Sequence, residues 1–231
     1  MKKVAAVIDL WSSDLCDRID VEDLRSRNPI AHKWKALYRS ICLREAIFWR
    51  ITDLLKQITV LAEAGHLLGA RILLRSTVET LGILIYLNQK TIAVLEGNET
   101  LHSFSDKTSQ LLLGSKNNAT EIEAINILTI LKKFEKKYPG ILEIYSDLCE
   151  SAHPNYDGVC HGYSFLKYNR DETIFKNRWN ELYGSDIEDQ ALEFMKVFEE
   201  EYIEVWPKLF DRLEKWIEEN DERLEAEKTD K

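Results

Sequence analysis

The stretch 68–88 is apolar on nearly every helical face, which predicts a central, buried helix. Within it Arg71, Arg75 and Glu79 recur at four-residue spacing and form one charged stripe. Buried charge is costly unless paired and hydrogen-bonded. The stripe is therefore either an internal ion network or the lining of a polar cavity. Upstream, Asn28-Pro29 reads as a helix start, with Asn as N-cap and Pro at the first helical position. Ile30, Trp34, Leu37, Ile41, Phe48, Ile51, Leu55 and Ile58 then keep a helical period up to Ala64. Gly65 ends that helix in the C′ role. So short a connection makes the two helices antiparallel neighbours. Folding them about residue 66 sets Glu79 beside Asp53 and Arg50, which predicts a Glu79–Arg50 or an Arg75–Asp53 ion pair.

Shorter elements flank this pair. The pattern predicts helices over 12–19, 100–113, 120–137 and 141–152, with Tyr138-Pro139-Gly140 and His153-Pro154 as breakers. Residues 153–185 are rich in Gly, Asn and Asp, and suggest a hairpin around Asn169-Arg170-Asp171. A last long helix begins near Asp186. Its stripe is Ile187, Ala191, Phe194, Phe198, Tyr202, Val205, Leu209, Leu213 and Trp216, with a kink expected at Pro207. The acidic tail 221–231 is expected to fray. The reading is one all-α domain over 1–231, a bundle of long antiparallel helices with its core at about 29–217 and a short irregular or hairpin insertion near 155–180.

Composition narrows the function classes. The formal net charge is −9, and it is unevenly placed. Residues 186–231 hold 17 acidic and 7 basic side chains, whereas 29–92 hold nine Lys/Arg against four Asp/Glu. The global balance argues against nonspecific nucleic-acid binding, and no DNA partner is expected. The start of the chain shows no export signal, because only a short apolar run, Val4 to Ile8, precedes Asp9. No apolar stretch reaches a bilayer span, so no membrane association is expected. Cys16, Cys42, Cys149 and Cys160 lack CxxC spacing and read as reduced thiols of a cytoplasmic protein. No Walker loop, Gly-x-Gly-x-x-Gly or Gly-x-Ser-x-Gly is present.

Polar side chains concentrate in Cys149-Glu150-Ser151-Ala152-His153-Pro154-Asn155-Tyr156-Asp157-Gly158-Val159-Cys160-His161, around a helix end and a loop. Cys149, His153, Cys160 and His161 are acceptable zinc ligand types. Their spacing is not that of a standard site, and adjacent Cys160 and His161 are awkward joint ligands. No metal and no cofactor are therefore assigned. The binding candidates are Arg71, Arg75, Glu79, His153, Asn155 and His161.

Arg27-Asn28-Pro29-Ile30-Ala31-His32 resembles the Arg-polar-x3-5-His motif of HEPN-type proteins. Ser151-Ala152-His153-Pro154-Asn155, taken with Arg75-Ser76-x2-Glu79, is similar to a bacterial HEPN-like all-helical family of the toxin and phage-defence type. The resemblance implies a homodimer. In catalytic members it implies metal-independent RNA cleavage by the Arg and the His, which map to Arg27 and His32 here. In such a reading RNA is a partner, His32 is the general acid/base and Arg27 stabilises phosphate charge. The motif lies early in this chain, and neither His153 nor His161 has an Arg at the matching distance before it. The expected function is thus a HEPN-like binding or regulatory protein with a polar pocket, and the alternative is the endoribonuclease.

Overall fold

The computed structural model describes residues 1–167 and 171–229, and over these the fold is all-α apart from one two-stranded hairpin. Helix α1 (Lys2–Ser13) buries Val4, Ile8 and Trp11, one face at steps of four and three. This corrects the helix expected over 12–19, since residues 14–20 are not helical. There Asp20 caps α2 (Val21–Arg27), its carboxylate accepting from the Glu22 N–H at 2.8 Å.

Asn28 does act as a cap, accepting from the Ala31 N–H at 2.9 Å. It closes only the single tight turn Ala31–Lys33. The helix expected from residue 29 is interrupted at Trp34, whose backbone is extended and whose buried indole packs edge-on against the His102 ring. Tertiary packing here overrides local helix preference, and α3 runs over Lys35–Glu63. Gly65, at φ +77°, ends α3 with the paired bonds of a Schellman motif: Gly65 N–H to Ala62 O (3.1 Å) and His66 N–H to Leu61 O (2.8 Å). Helix α4 (Leu67–Leu95) then runs back antiparallel. Arg50 meets Thr80, and Gly69 lies so near Leu61 that a Cβ there would be 3.2 Å from Leu61 Cδ1. α4 continues seven residues past the expected end at 88, until Gly97 (φ +73°) closes it.

Helix α5 (Leu101–Leu113) starts at Thr100 as expected, with the hydroxyl accepting from the Ser103 N–H. Helix α6 (Ile127–Lys137) begins later than the expected residue 120. The polar segment before it folds on itself instead, through Ser115 N–H to Ile122 O and the Thr120 hydroxyl to Leu113 O. Helix α7 (Ile141–Ala152) has the expected bounds. A widened, π-helical turn follows at Tyr156–His161. Strands β1 (Ser164–Lys167) and β2 (Glu172–Phe175) pair antiparallel, with Ser164 opposite Phe175 and Lys167 opposite Glu172. The expected hairpin is therefore present in its two strands, and residues 168–170, which include Asn169 and Arg170 of the expected turn, lie outside the described residues.

After the short α8 (Trp179–Tyr183), the single long helix expected from residue 186 divides into α9 (Ile187–Glu199), a π-helical turn at Glu200–Val205 and α10 (Trp206–Glu219), and α11 (Asp221–Thr229) follows. Pro207 lacks an N–H and its ring crowds the preceding turn, and the chain widens immediately before it. Within the tail expected to fray, the described residues 221–229 form α11, where Leu224 is buried and Lys33 pairs with Asp221 and Glu225.

Two compact units are interleaved along the chain. The first combines Met1–Asp14, Trp49–Leu81 and Phe134–Val197, and the second combines Leu15–Phe48, Gly82–Lys133 and the residues from Phe198 onward. Buried Ile51, Leu55, Leu74, Val78, Leu148 and Trp179 belong to the first. Leu37, Leu84, Phe104, Leu213 and Ile217 belong to the second. Because each unit draws on three separate stretches, no linker is visible in the sequence. Among the described residues no helix is long and apolar enough to cross a membrane.

Candidate functional site

In the first unit the charged stripe of α4 meets α7. Arg71 is its most deeply buried member, with a side chain only 2% exposed. Its Nε donates to Ser151 Oγ at 2.7 Å, its Nη2 to Asp147 Oδ2 at 2.5 Å, and its guanidinium lies over the Tyr183 ring. One turn on, Arg75 Nη2 and Glu79 Oε1 are 3.2 Å apart, and the Tyr145 hydroxyl joins both. That hydroxyl accepts from Arg75 Nη2 at 3.2 Å and donates to Glu79 Oε1 at 2.7 Å. The hydrogen bond that Arg75 donates to Tyr145 is the main cause that raises the Arg75 pKa. Burial, then the bond to Glu79, pushes the Tyr145 phenol up to about 12.

In place of the ion pairs expected across α3 and α4, Arg50 and Asp53 make hydrogen bonds to neutral side chains. Arg50 Nε donates to Thr80 Oγ1 at 3.1 Å, and Asp53 accepts from Gln57 within its own helix. The fold-back is as expected, but the residue facing Arg50 is Thr80 rather than Glu79. One position along a helix is a rotation of about 100°. That rotation turns the stripe toward α7. Arg75 and Glu79 are consequently half-buried rather than core residues.

An aromatic ladder leads from this seam to the loop segment. Tyr183 carries Arg71 on one side and stacks on Trp179, with ring centres 5.5 Å apart. Trp179 in turn lies against Gly162, where an added Cβ would fall 2.7 Å from the indole. Only glycine admits that approach, so Gly162 fixes the end of the π-helical turn. Asn155 caps the start of the turn, its Oδ1 accepting from the Gly158 N–H at 3.2 Å, while its amide donates to Glu150. His153 is the exposed C-cap of α7, with its backbone N–H on Cys149 O. His153 and Asn155 thus shape the site through capping.

His161 belongs to a cleft. Its ring is nearly parallel to that of Tyr156, with centres 5.8 Å apart. Together with Cys160 and strand residues including Leu166 and Thr173 they line a cavity of about 460 Å³. Arg178 holds the wall, its Nη1 donating to the carbonyls of His161 (3.1 Å) and Ser164 (2.9 Å). A volume of this size falls within the range of small-ligand clefts. Among the described residues no three His, Cys, Asp or Glu side chains converge as a metal ion would require.

Arg27 and His32 lie in the second unit and are brought together there. Both hold Oε1 of Glu214 on α10, with His32 Nε2 at 2.7 Å. The His32 side chain is 2% exposed, and its Nδ1 is buried without a hydrogen-bond partner. A general acid/base must reach the proton that it transfers. Here one ring nitrogen is engaged by a carboxylate and the other is enclosed. Arg27, by contrast, is 54% exposed.

Sequence reasoning missed Tyr145, Asp147, Tyr183 and Glu214, and named Ser151 only as part of the polar segment around the end of α7. The signal for Glu214 was its position one residue after Leu213 and three before Ile217, inside the buried stripe of α10. The α7 partners had a weaker signal, as a half-polar face of a short helix. Comparison with family models, curated proteins and solved structures finds no match.

Proposed function

We propose that the chain is a HEPN-like helical binding protein, acting as a homodimer without catalysis, whose ligand site is the cleft beside the π-helical turn. The observation that carries this reading is the pair of near-parallel rings of Tyr156 and His161 at the edge of a 460 Å³ cavity. Tyr156 is 68% exposed, so its ring is open to an incoming ligand. Flat rings of this kind favour an uncharged heterocycle that can stack. Arg178 and the Arg71–Tyr183–Trp179 ladder hold the cleft in shape before any ligand enters.

Adenosine and uridine are suitable probes, observed by saturation-transfer NMR with the full chain. Signal from the base protons that disappears in Tyr156→Ala supports the reading. No signal, or signal unchanged in that variant, overturns it.

The endoribonuclease alternative draws on one observation, that Arg27 and His32 converge on a single carboxylate. The enclosure of His32 weighs against it. Incubation with single-stranded RNA and a chelator is expected to leave the RNA intact. Chelator-resistant cleavage that is lost in His32→Ala and kept in Tyr156→Ala would establish the alternative.

A further inference from the structure

From the outer face of α3 we infer that the protein self-associates through a two-fold, antiparallel α3–α3 contact centred between Leu54 and Leu55. The inference deepens the homodimer part of the proposed function by naming its surface. It does not depend on the cleft.

The exposed positions of α3 after the first turns include Trp49, Asp53, Lys56 and Val60, at steps of four, three and four. These steps keep all four on one stripe of the helix, the spacing of a helix–helix seam. Trp49 is 47% and Val60 66% exposed, so the stripe begins and ends on a large apolar residue in contact with water. Between them stand one acid and one base. In an antiparallel pairing of two identical helices, residue i of one faces residue 109 − i of the other when the axis passes between 54 and 55. That single axis sets Trp49 on the partner's Val60 and Asp53 on the partner's Lys56. By symmetry it also sets Lys56 on the partner's Asp53 and Val60 on the partner's Trp49. An isologous contact needs this self-complementarity, and few registers of a charged stripe provide it. A parallel pairing in register would instead oppose Asp53 to Asp53 and Lys56 to Lys56.

Shape agrees with the register. A cavity of about 290 Å³ lies on this face, lined by Lys56, Gln57, Val60 and Leu61. It is large enough for an indole ring, and the partner's Trp49 arrives beside Val60. Eleven residues of helix separate the two anchors, a contact about 17 Å long. Such a short seam fits a weak dimer with a micromolar dissociation constant, on the order of 1–100 µM.

Sedimentation velocity of the full-length protein over this concentration range tests the surface. Wild type is expected to shift from monomer to dimer. Asp53→Lys alone and Lys56→Asp alone each turn two attractions into two repulsions, and each should raise the dissociation constant about tenfold. The Asp53→Lys/Lys56→Asp double variant restores opposite charges across the axis and should return to within about threefold of wild type. Because the four side chains are exposed, loss of folding is not expected, and rescue by the double variant shows that folding is intact. Val60→Glu should leave monomer only. A wild-type protein that stays monomeric overturns both the surface and the homodimer. A wild-type dimer indifferent to the single reversals, or not rescued by the double variant, overturns the surface and leaves the homodimer standing on another face.

Discussion

The guanidinium carbon of Arg71 lies 3.8 Å from the centre of the Tyr183 ring. The same group spends its edge donors on Ser151 and Asp147 of α7. Arg71 thus serves three neighbours from a nearly closed position, and joins the α4–α7 seam to the aromatic ladder under the cleft. A planar fork with a polarisable face can do this, whereas an ammonium cannot.

Replacing Arg71 by Lys should therefore lower stability by about 2 kcal/mol, through lost hydrogen bonds and lost stacking. Urea unfolding followed by circular dichroism reads this directly. The variant should also loosen Tyr183, so near-ultraviolet dichroism should change more than far-ultraviolet dichroism. An unchanged urea midpoint would mean that Arg71 is a bystander.

Tyr145 makes a prediction at the alkaline side. Its phenol is pushed from the ordinary 10.0 up to about 12, chiefly by burial. A group whose folded value is raised contributes stability in full below its unfolded value, here about pH 10, and loses it as pH rises through the folded value. Stability should hold to about pH 10 and fall toward about pH 12. Burial also pushes the phenols of Tyr86, Tyr183 and Tyr202 upward, so several groups share this fall. Tyr145→Phe should start from lower stability and fall less steeply between those pH values. An equal slope in the variant would assign the alkaline loss to the other phenols.

The long antiparallel pair was legible because Gly65 and the two apolar periods each point to the same fold-back. What faces what across it was not, since a one-residue difference in rotation moved Glu79 away from Arg50 and toward Tyr145. Arg27 and His32 could be paired through the resemblance of their segment to the HEPN motif. Glu214 could not, because it lies 182 residues from His32 and its charge looks like part of an acidic outer face. α1 was missed for a simpler reason: Val4, Ile8 and Trp11 form only three contacts of one stripe, too few to stand out. The π-helical turns have no sequence signature beyond the nearby Pro207 in one case and the tight glycines in the other.

The C-terminal helix offers a sharp test of whether the tail is ordered. Leu224 is 1% exposed, although acidic and polar residues surround it in the sequence. Leu224→Ala should cost about 2–3 kcal/mol, the usual range for emptying a closed apolar site. Hydrogen exchange of α11 amides should rise in the variant. If thermal unfolding is unmoved, the tail frays in solution as its composition alone suggests.

Glu214 gathers two basic side chains with unequal means of escape. Arg27 is 54% exposed and can turn into water when the carboxylate is removed. His32 cannot, because its side chain is enclosed and its Nε2 points at Glu214. Glu214→Ala should then cost about 3 kcal/mol, most of it from the stranded imidazole. A double-mutant cycle separates the two partners. Coupling between Glu214→Ala and His32→Phe should be on the order of 1–3 kcal/mol, and coupling between Glu214→Ala and Arg27→Ala below about 1 kcal/mol. The reverse order would show that Arg27 holds the carboxylate and that the His32 ring opens to solvent. In that event the geometric objection to His32 as a general acid/base would fall with it, and RNA cleavage in the presence of a chelator would become the expected result.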